Sequence, residues 1–576
     1  MTHVSRRRRS TLLIAGAAAL ALVAGSTVGW AATNGSGHGA DTESTPETVF
    51  GAYLAAGHAE EGHDYGRAAD LLDRILEERG DDPLLQRRAM LANLHAGRLA
   101  RAVDLARPQV AVYPGEVDIA ALTLAADAIL SGDWPRAIKA LSPPRRVALA
   151  RFATPVLAAW AHQARGDTAD AMDALSVLRD SADVPALHDY HAGLIFLNAG
   201  RPEEAEAILS PYGDDLEGSG IGLIRALARA RLALDDREGA EALLRGFNAM
   251  NPGFTALERD IAALERDGAL PPLVATAAEG AADAMINLSR QVRGRAPTIA
   301  LRYTRLGVYM DPTNDLGRML IAAILETHDR HAEAIAELEA VSEGSEFDWD
   351  ARIEIGDNLI LLERDDEAIA HLEAMSEERD DDLDALERLG YLMRLRERYG
   401  EGTEYYDRAL ARVDTVEDIH WTLFYHRGIT LERTKRWPEA EADFKRALEL
   451  KPDDPYVLNY LGYSWVDQGM NIEEAMEMIR TAVEQRPNDG YIVDSLGWAY
   501  YRLDDFEEAV VHLERAVQLR PQDPVINDHL GDAYYRVGRD LEARFQWNRA
   551  LGLDPEEDER EKIERKLLRG LDAVEN

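Results

Sequence analysis

An all-α solenoid of stacked helical hairpins is the fold class that this 576-residue chain predicts. Three observations predict it. Near the C-terminus Gly428, Gly462, Gly497 and Gly531 recur at spacings of 34, 35 and 34 residues. Ala440, Ala475, Ala509 and Ala543 follow them by 12 or 13 residues, and Ala447, Ala482, Ala516 and Ala550 by seven more. Pro452, Pro487, Pro521 and Pro555 close each unit. Self-similarity at such a period marks a repeat architecture. A unit holds two helices of about a dozen residues, which are marginal alone in water and must stack. Packed helix axes lie about 8–10 Å apart, so small residues belong at the crossings. Phe444, Ile479, Leu513 and Trp547 stand four residues beyond the first Ala, one turn along the same face. The proline then ends the second helix.

Taken in chain order, the first element is residues 1–32. Arg6 to Arg9 precede an apolar stretch rich in small residues, with no further charge until Asp41. That order makes an export signal, with a cleavage site near Gly29-Trp30-Ala31. The 22 residues from Thr11 to Ala32 are also long enough for an N-terminal membrane anchor. Either way the basic cluster stays inside, and everything after residue 40 lies outside the cytoplasm: periplasmic, or held at the inner membrane. Residues 33–46 form a flexible linker.

The repeat phase then runs through a divergent N-terminal array, 47–252, marked by Ala68, Ala102, Ala137, Ala171, Ala205 and Ala240. It resumes in a middle array, 298–415, at Ala300, Ala334, Ala368 and Gly402, and continues in the regular C-terminal array, 416–556. With the four C-terminal units, fourteen units are in phase. Between the first two arrays, 253–297 is a degenerate segment with Pro271-Pro272, expected to be a hinge or an irregular helix pair. Residues 557–576 place Ile563, Leu567, Leu568 and Leu571 at helical spacing in a charged background, as a capping helix needs.

Composition bounds the function. A formal charge of −40, with six lysines among 64 basic residues, disfavours phosphate backbones and hence nucleic acid as a partner. Zero cysteines exclude disulfides, thiolate metal sites and a lipidated N-terminal Cys. Gly218 to Gly222 lack the preceding strand and the spacing of a phosphate loop, and form a loop instead. His328 and His331 are three apart but have no further His or any Cys nearby, so they are expected on the solvated surface. The acidic run Glu377 to Asp384 lacks the spaced ligands of a calcium loop and suits a helix end and turn. No catalytic constellation, cofactor site or metal site emerges, which points away from an enzyme.

The Gly, Ala and Pro markers resemble the tetratricopeptide repeat. That resemblance implies a superhelix whose concave groove is lined by the first helix of each unit, through its second, fifth, ninth and twelfth positions. Here those are Tyr456, Asn459, Tyr463 and Val466, then Tyr491, Asp494, Trp498 and Tyr501, then Val525, Asp528, Asp532 and Tyr535. Rings mixed with acids suit a protein-binding groove, since rigid rings give contact area at low entropic cost. Family members that clamp a terminal carboxylate use Lys and Asn, whereas the fifth positions here are Asn459, Asp494 and Asp528, which suit a basic extended segment. The last units, such as "DSLGWAYYRLDDFEEAVVHLERAV" from Asp494 to Val517, also resemble long bacterial envelope repeat proteins. Some of those are lipoprotein adaptors for a carboxy-terminal processing protease acting on cell-wall hydrolases. The expectation is therefore a non-catalytic scaffold or adaptor whose partners include a periplasmic protease or hydrolase. The alternative is an assembly or export component of a pilus, polysaccharide or outer-membrane machine.

Overall fold

The computed structural model describes residues 48–80, 82–112, 118–142, 150–179, 181, 184–251 and 255–572. The expected export signal and linker lie outside them. Among the described residues there are thirty α-helices, one short 3-10 turn and no strand, and no helix is long and apolar enough to cross a membrane. They fall into two compact units, 48–364 and 365–572.

The first unit opens with six hairpins: α1 (Val49–Glu61) with α2 (Tyr65–Glu78), α3 (Pro83–His95) with α4 (Leu99–Val112), α5 (Asp118–Leu130) with α6 (Trp134–Leu141), α7 (Ala150–Ala164) with α8 (Thr168–Ser176), α9 (Pro185–Asn198) with α10 (Pro202–Asp214), and α11 (Ile221–Ala233) with α12 (Arg237–Met250). A single helix, α13 (Thr255–Asp267), follows. Then come α14 (Ala277–Val292) with α15 (Pro297–Met310), α16 (Asp315–Glu326) with α17 (His331–Leu338), and α18 (Asp348–Leu361). The second unit runs through α19 (Asp365–Glu378), α20 (Asp384–Leu395), α21 (Tyr399–Ala411), α22 (Trp421–Arg433), α23 (Trp437–Leu450), α24 (Pro455–Asp467), α25 (Ile472–Gln485), α26 (Gly490–Arg502), α27 (Phe506–Leu519), α28 (Pro524–Arg536), α29 (Asp540–Leu551) and α30 (Glu557–Arg569).

All fourteen phase markers occupy one place in this architecture: each is the fourth residue of its helix, from Ala68 in α2 to Ala543 in α29, and each is buried. The eighth-position glycines face the large residues paired with them in the sequence. A Cβ on Gly428, Gly497 or Gly531 would come within 2.7, 2.6 or 2.5 Å of Phe444, Leu513 or Trp547. No side chain fits there, so the glycine sets how closely the two helices approach. Caps define the ends. Asp454 and Asp523 accept backbone N–H groups of α24 and α28, each of which begins on a proline whose missing N–H needs no partner. Asp64, Asp133, Asp236 and Asp505 cap second helices in the same way.

The segment 253–297 contributes α13, which packs on α12, and then α14, the first helix of a regular hairpin, while the boundary between compact units falls at Arg364 and Asp365. Asp260 pins α13, taking Arg225 Nε–H at 2.7 Å and both Arg229 terminal nitrogens at 2.9 Å. The α14–α15 hairpin folds back onto α3, α5, α7 and α9, the first helices of the second to fifth hairpins. It thereby fills the face that the repeat resemblance assigns to a groove. Helix α14 is buried on most of its surface, as an inserted helix must be. Gly280 lies against the fully buried Trp160. Arg302 Nε–H donates to His95 Nε2 at 2.7 Å, Arg305 Nε–H to the His95 carbonyl at 3.2 Å, and the Tyr309 hydroxyl to Asp127 at 3.3 Å. His63 stacks on His328 with ring centres 3.8 Å apart, beside an Arg330–Asp64 ion pair of 3.1 Å.

Candidate functional site

The ten groove candidates lie on α24, α26 and α28, and none is fully exposed. Tyr456 and Tyr491 begin their helices half-buried. The Arg486 guanidinium sits 5.4 Å over the Tyr456 ring and Arg520 lies 4.8 Å over Tyr491, while Lys451 lies 4.0 Å over Trp421, the first residue of α22. In three of the four C-terminal units the cation directly before the closing proline thus covers a ring at the start of the same unit. These rings stabilise the hairpin internally. Asn459 is buried and its Oδ1 has no hydrogen-bond partner. Tyr463 is half-buried, and burial followed by the nearby Asp494 charge pushes its pKa up.

The other members converge. Trp498 stacks with Tyr501 at 4.6 Å and with His529 at 4.0 Å, with interplanar angles of 7° and 18°. His529 Nδ1 lies 3.0 Å from Asp494. Burial pulls the His529 pKa down, but Asp494 outweighs it and the net direction is upward. Beyond His529, the Lys566 ammonium of α30 donates to Asp528 and to Asp532, each at 2.7 Å. All three side chains in this contact are less than a tenth exposed. Asp532 also accepts Trp547 Nε1–H at 2.8 Å. Burial and then Asp528 raise its pKa to about 7, against the pull of Lys566. Lys566 in turn is pulled down by burial but raised overall by the two carboxylates. Asp528 Oδ1 is buried without a partner. Tyr501 accepts Arg536 Nε–H at 3.3 Å, and its hydroxyl is pushed up to about 12 by burial. The Tyr535 hydroxyl donates to Asp572 at 3.3 Å.

Asp494, Trp498, Tyr501, Asp528 and Asp532 therefore form one cluster, whereas Tyr456 and Tyr491 are engaged by their own units. In this conformation the Asp528 and Asp532 carboxylates already hold a cation of the same chain. Two members of the cluster, His529 and Lys566, are not among the sequence-level candidates. Lys566 had a signal: it lies within the apolar stripe of Ile563, Leu567 and Leu571, where a charged residue needs a buried counterpart.

Elsewhere, His328 and His331 depart from the solvated places expected of them. Both are half-buried, and they turn to different partners: His328 to His63, and His331 to Asn358 Oδ1 at 2.9 Å. Among the described residues His162, Asp167 and Asp170 bring ligand atoms within 4.8 Å of one another, but Asp170 is largely exposed and Asp167 lies 3.6 Å from Arg165. The first hairpin leaves its groove positions open. Phe50 and Leu54 of α1 are more than half exposed, as is Leu84 of α3 in the second hairpin, and a cleft of about 660 Å³ here is lined by Tyr53, Leu54, Gly57 and Arg88 among others.

Family comparison agrees with this geometry. The tetratricopeptide repeat model matches residues 421–454, and a second model, described as TPR repeat, matches 497–538. The chain carries tetratricopeptide repeats. No curated protein matches it. Among solved structures, the APC/C hetero-tetramer Cut9–Hcn1 is 17% identical with a TM-score of 0.39, covering 92% of this chain and 97% of that one. A tetratricopeptide repeat protein from Parabacteroides merdae is 13% identical with a TM-score of 0.37, covering 45% of this chain and 98% of that one. Yeast Tom70 is 13% identical with a TM-score of 0.29, covering 92% of this chain and 95% of that one.

Proposed function

We propose that this tetratricopeptide repeat chain is an exported, non-catalytic scaffold of the bacterial cell envelope, and that its C-terminal hairpins hold protein segments bearing lysine or arginine. One observation carries the reading. A lysine ammonium is seated between Asp528 and Asp532, at the fifth and ninth positions of a first helix, so these positions have the chemistry to hold a cationic side chain out of water. The filling of the second to fifth hairpins by α14 and α15 supports placing the partner site in the second unit. Export rests on the basic, then apolar, N-terminal sequence. The resemblance to envelope adaptors makes a periplasmic protease or a cell-wall hydrolase the partner to look for first.

Crosslinked capture from intact envelopes tests this, with the full chain and a Trp498→Ala, Tyr501→Ala double variant. Capture of a wall hydrolase or its protease, lost in the variant, is the expected result. Capture of a pilus, polysaccharide or outer-membrane assembly machine instead supports the second class of function. If the double variant captures normally while a Phe50→Ser, Leu54→Ser variant does not, the partner site lies at the open first hairpin. A chain that crosslinks to nothing outside the cytoplasm refutes the scaffold reading.

A further inference from the structure

We infer that α30 is a resident ligand of the C-terminal groove rather than a fixed part of its core, and that the external ligand it stands in for is a lysine-bearing amphipathic helix. The inference rests on the reading of these hairpins as a cation-binding groove and names what they recognise. Ten of the thirteen residues of α30 are charged. Its apolar grip reduces to Ile563, the half-buried Leu567 and, just beyond the helix, Leu571, while Leu568 points into solvent. A helix with so little apolar surface docks weakly through burial alone. What distinguishes its contact is Lys566, whose ammonium reaches two carboxylates of α28 that are themselves buried.

The receiving side is built for a cation and is still short of one. Asp494, Asp528 and Asp532 face one lysine and one histidine, with the Arg536 side chain held at Tyr501 on the flank. Asp528 Oδ1, on a residue 94% buried, has no donor. The ligand pattern is therefore the one α30 displays: an apolar residue with a lysine three and an apolar residue four positions on, which share one helical face, and an apolar residue eight positions on, just past the helix end. Release of α30 is geometrically local, because five residues, 552–556, join it to α29.

The test uses full-length protein and two fluorescent peptides spanning residues 556–572, one native and one carrying Lys566→Ala. In a Lys566→Met protein the amides of α30 should exchange at least tenfold faster, with α26 to α29 still protected. That protein should bind the native peptide at least tenfold more tightly than the unaltered protein does, and more tightly than it binds the Lys566→Ala peptide. An Asp528→Asn, Asp532→Asn protein should release α30 as readily yet bind neither peptide. Unchanged exchange in α30, loss of protection throughout α26 to α29, or equal binding of the two peptides overturns the inference. Any of these beside a normal loss of envelope capture in the Trp498→Ala, Tyr501→Ala variant leaves the groove reading standing and removes only the claim about α30.

Discussion

Gly280→Ala sets two effects of opposite sign against each other. Within a helix Ala is favoured over Gly by about 1 kcal/mol, so propensity alone predicts a more stable protein. The site decides otherwise. A Cβ on Gly280 would stand 2.3, 2.4 and 2.6 Å from three indole atoms of Trp160. That indole is fully buried, and its Nε1–H donates to His191 Nδ1 at 3.3 Å, so it has nowhere to retreat. Overpacking of this kind costs about 1–3 kcal/mol, and separations so short belong at the upper end. The net expectation is a loss of about 1–2 kcal/mol, read by urea unfolding, with faster amide exchange in α7 and α14. Adding Trp160→Phe should recover part of the loss, because residues in contact are coupled. Gly400→Ala in α21 is the control: no heavy atom lies within 4 Å of its Cβ, so it should be neutral or stabilising by up to about 1 kcal/mol. If Gly280→Ala is as harmless as Gly400→Ala, α14 is not seated against Trp160 and the filled groove is refuted.

Asp260→Asn should destabilise the first unit by about 3–5 kcal/mol, since it leaves Arg225 and Arg229 facing a neutral amide in a buried site. Denaturant unfolding checks the size, and a loss under 1 kcal/mol would show that α13 is held by other contacts. His191 supplies the pH prediction. Burial pushes its pKa down to about 3, so the unfolded chain takes up a proton near pH 6.5 that the folded chain refuses. Its stabilising contribution is complete above pH 6.5 and is lost as pH falls toward 3, at about 1.4 kcal/mol per pH unit. Asp283, raised to about 6 by burial, slopes the other way, so the comparison is with His191→Leu at each pH. The variant should lose less stability than the parent between pH 6 and pH 4, and equal slopes would mean that His191 is protonated in the fold.

The hairpin plan was legible because its markers answer to local geometry. Ala137 or Ala509 must be small wherever it occurs, since the fourth residue of each second helix meets a neighbouring helix, and that requirement survives when the surrounding sequence drifts. The folding back of α14 was not legible. Leu91, Leu122, Val156 and Leu194 hold groove positions of the second to fifth hairpins, and an apolar residue there looks the same whether it completes inter-repeat packing or awaits an inserted helix. Four such hairpins in succession were the signal, and they stood in the same sequence as the segment that covers them. The aromatic candidates divide similarly. Tyr456 and Tyr491 look like ligand contacts by type, but Arg486 and Arg520 before the closing prolines show them to be partners inside each unit. The Lys566 pairing joins residues 34 and 38 apart and needs the register of the last helix, which no repeat marker supplies.

The returning hairpin also bears on the order in which the molecule can assemble. In an open array each repeat touches only its neighbours, so structure can spread from any point in short local steps. The contact between His95 and Arg302 spans 207 residues. An emerging chain must therefore present the apolar faces of α3 to α9 unfilled until residues 277–310 arrive, and long-range closure of this sort slows folding. The first unit is then expected to melt as a single cooperative block.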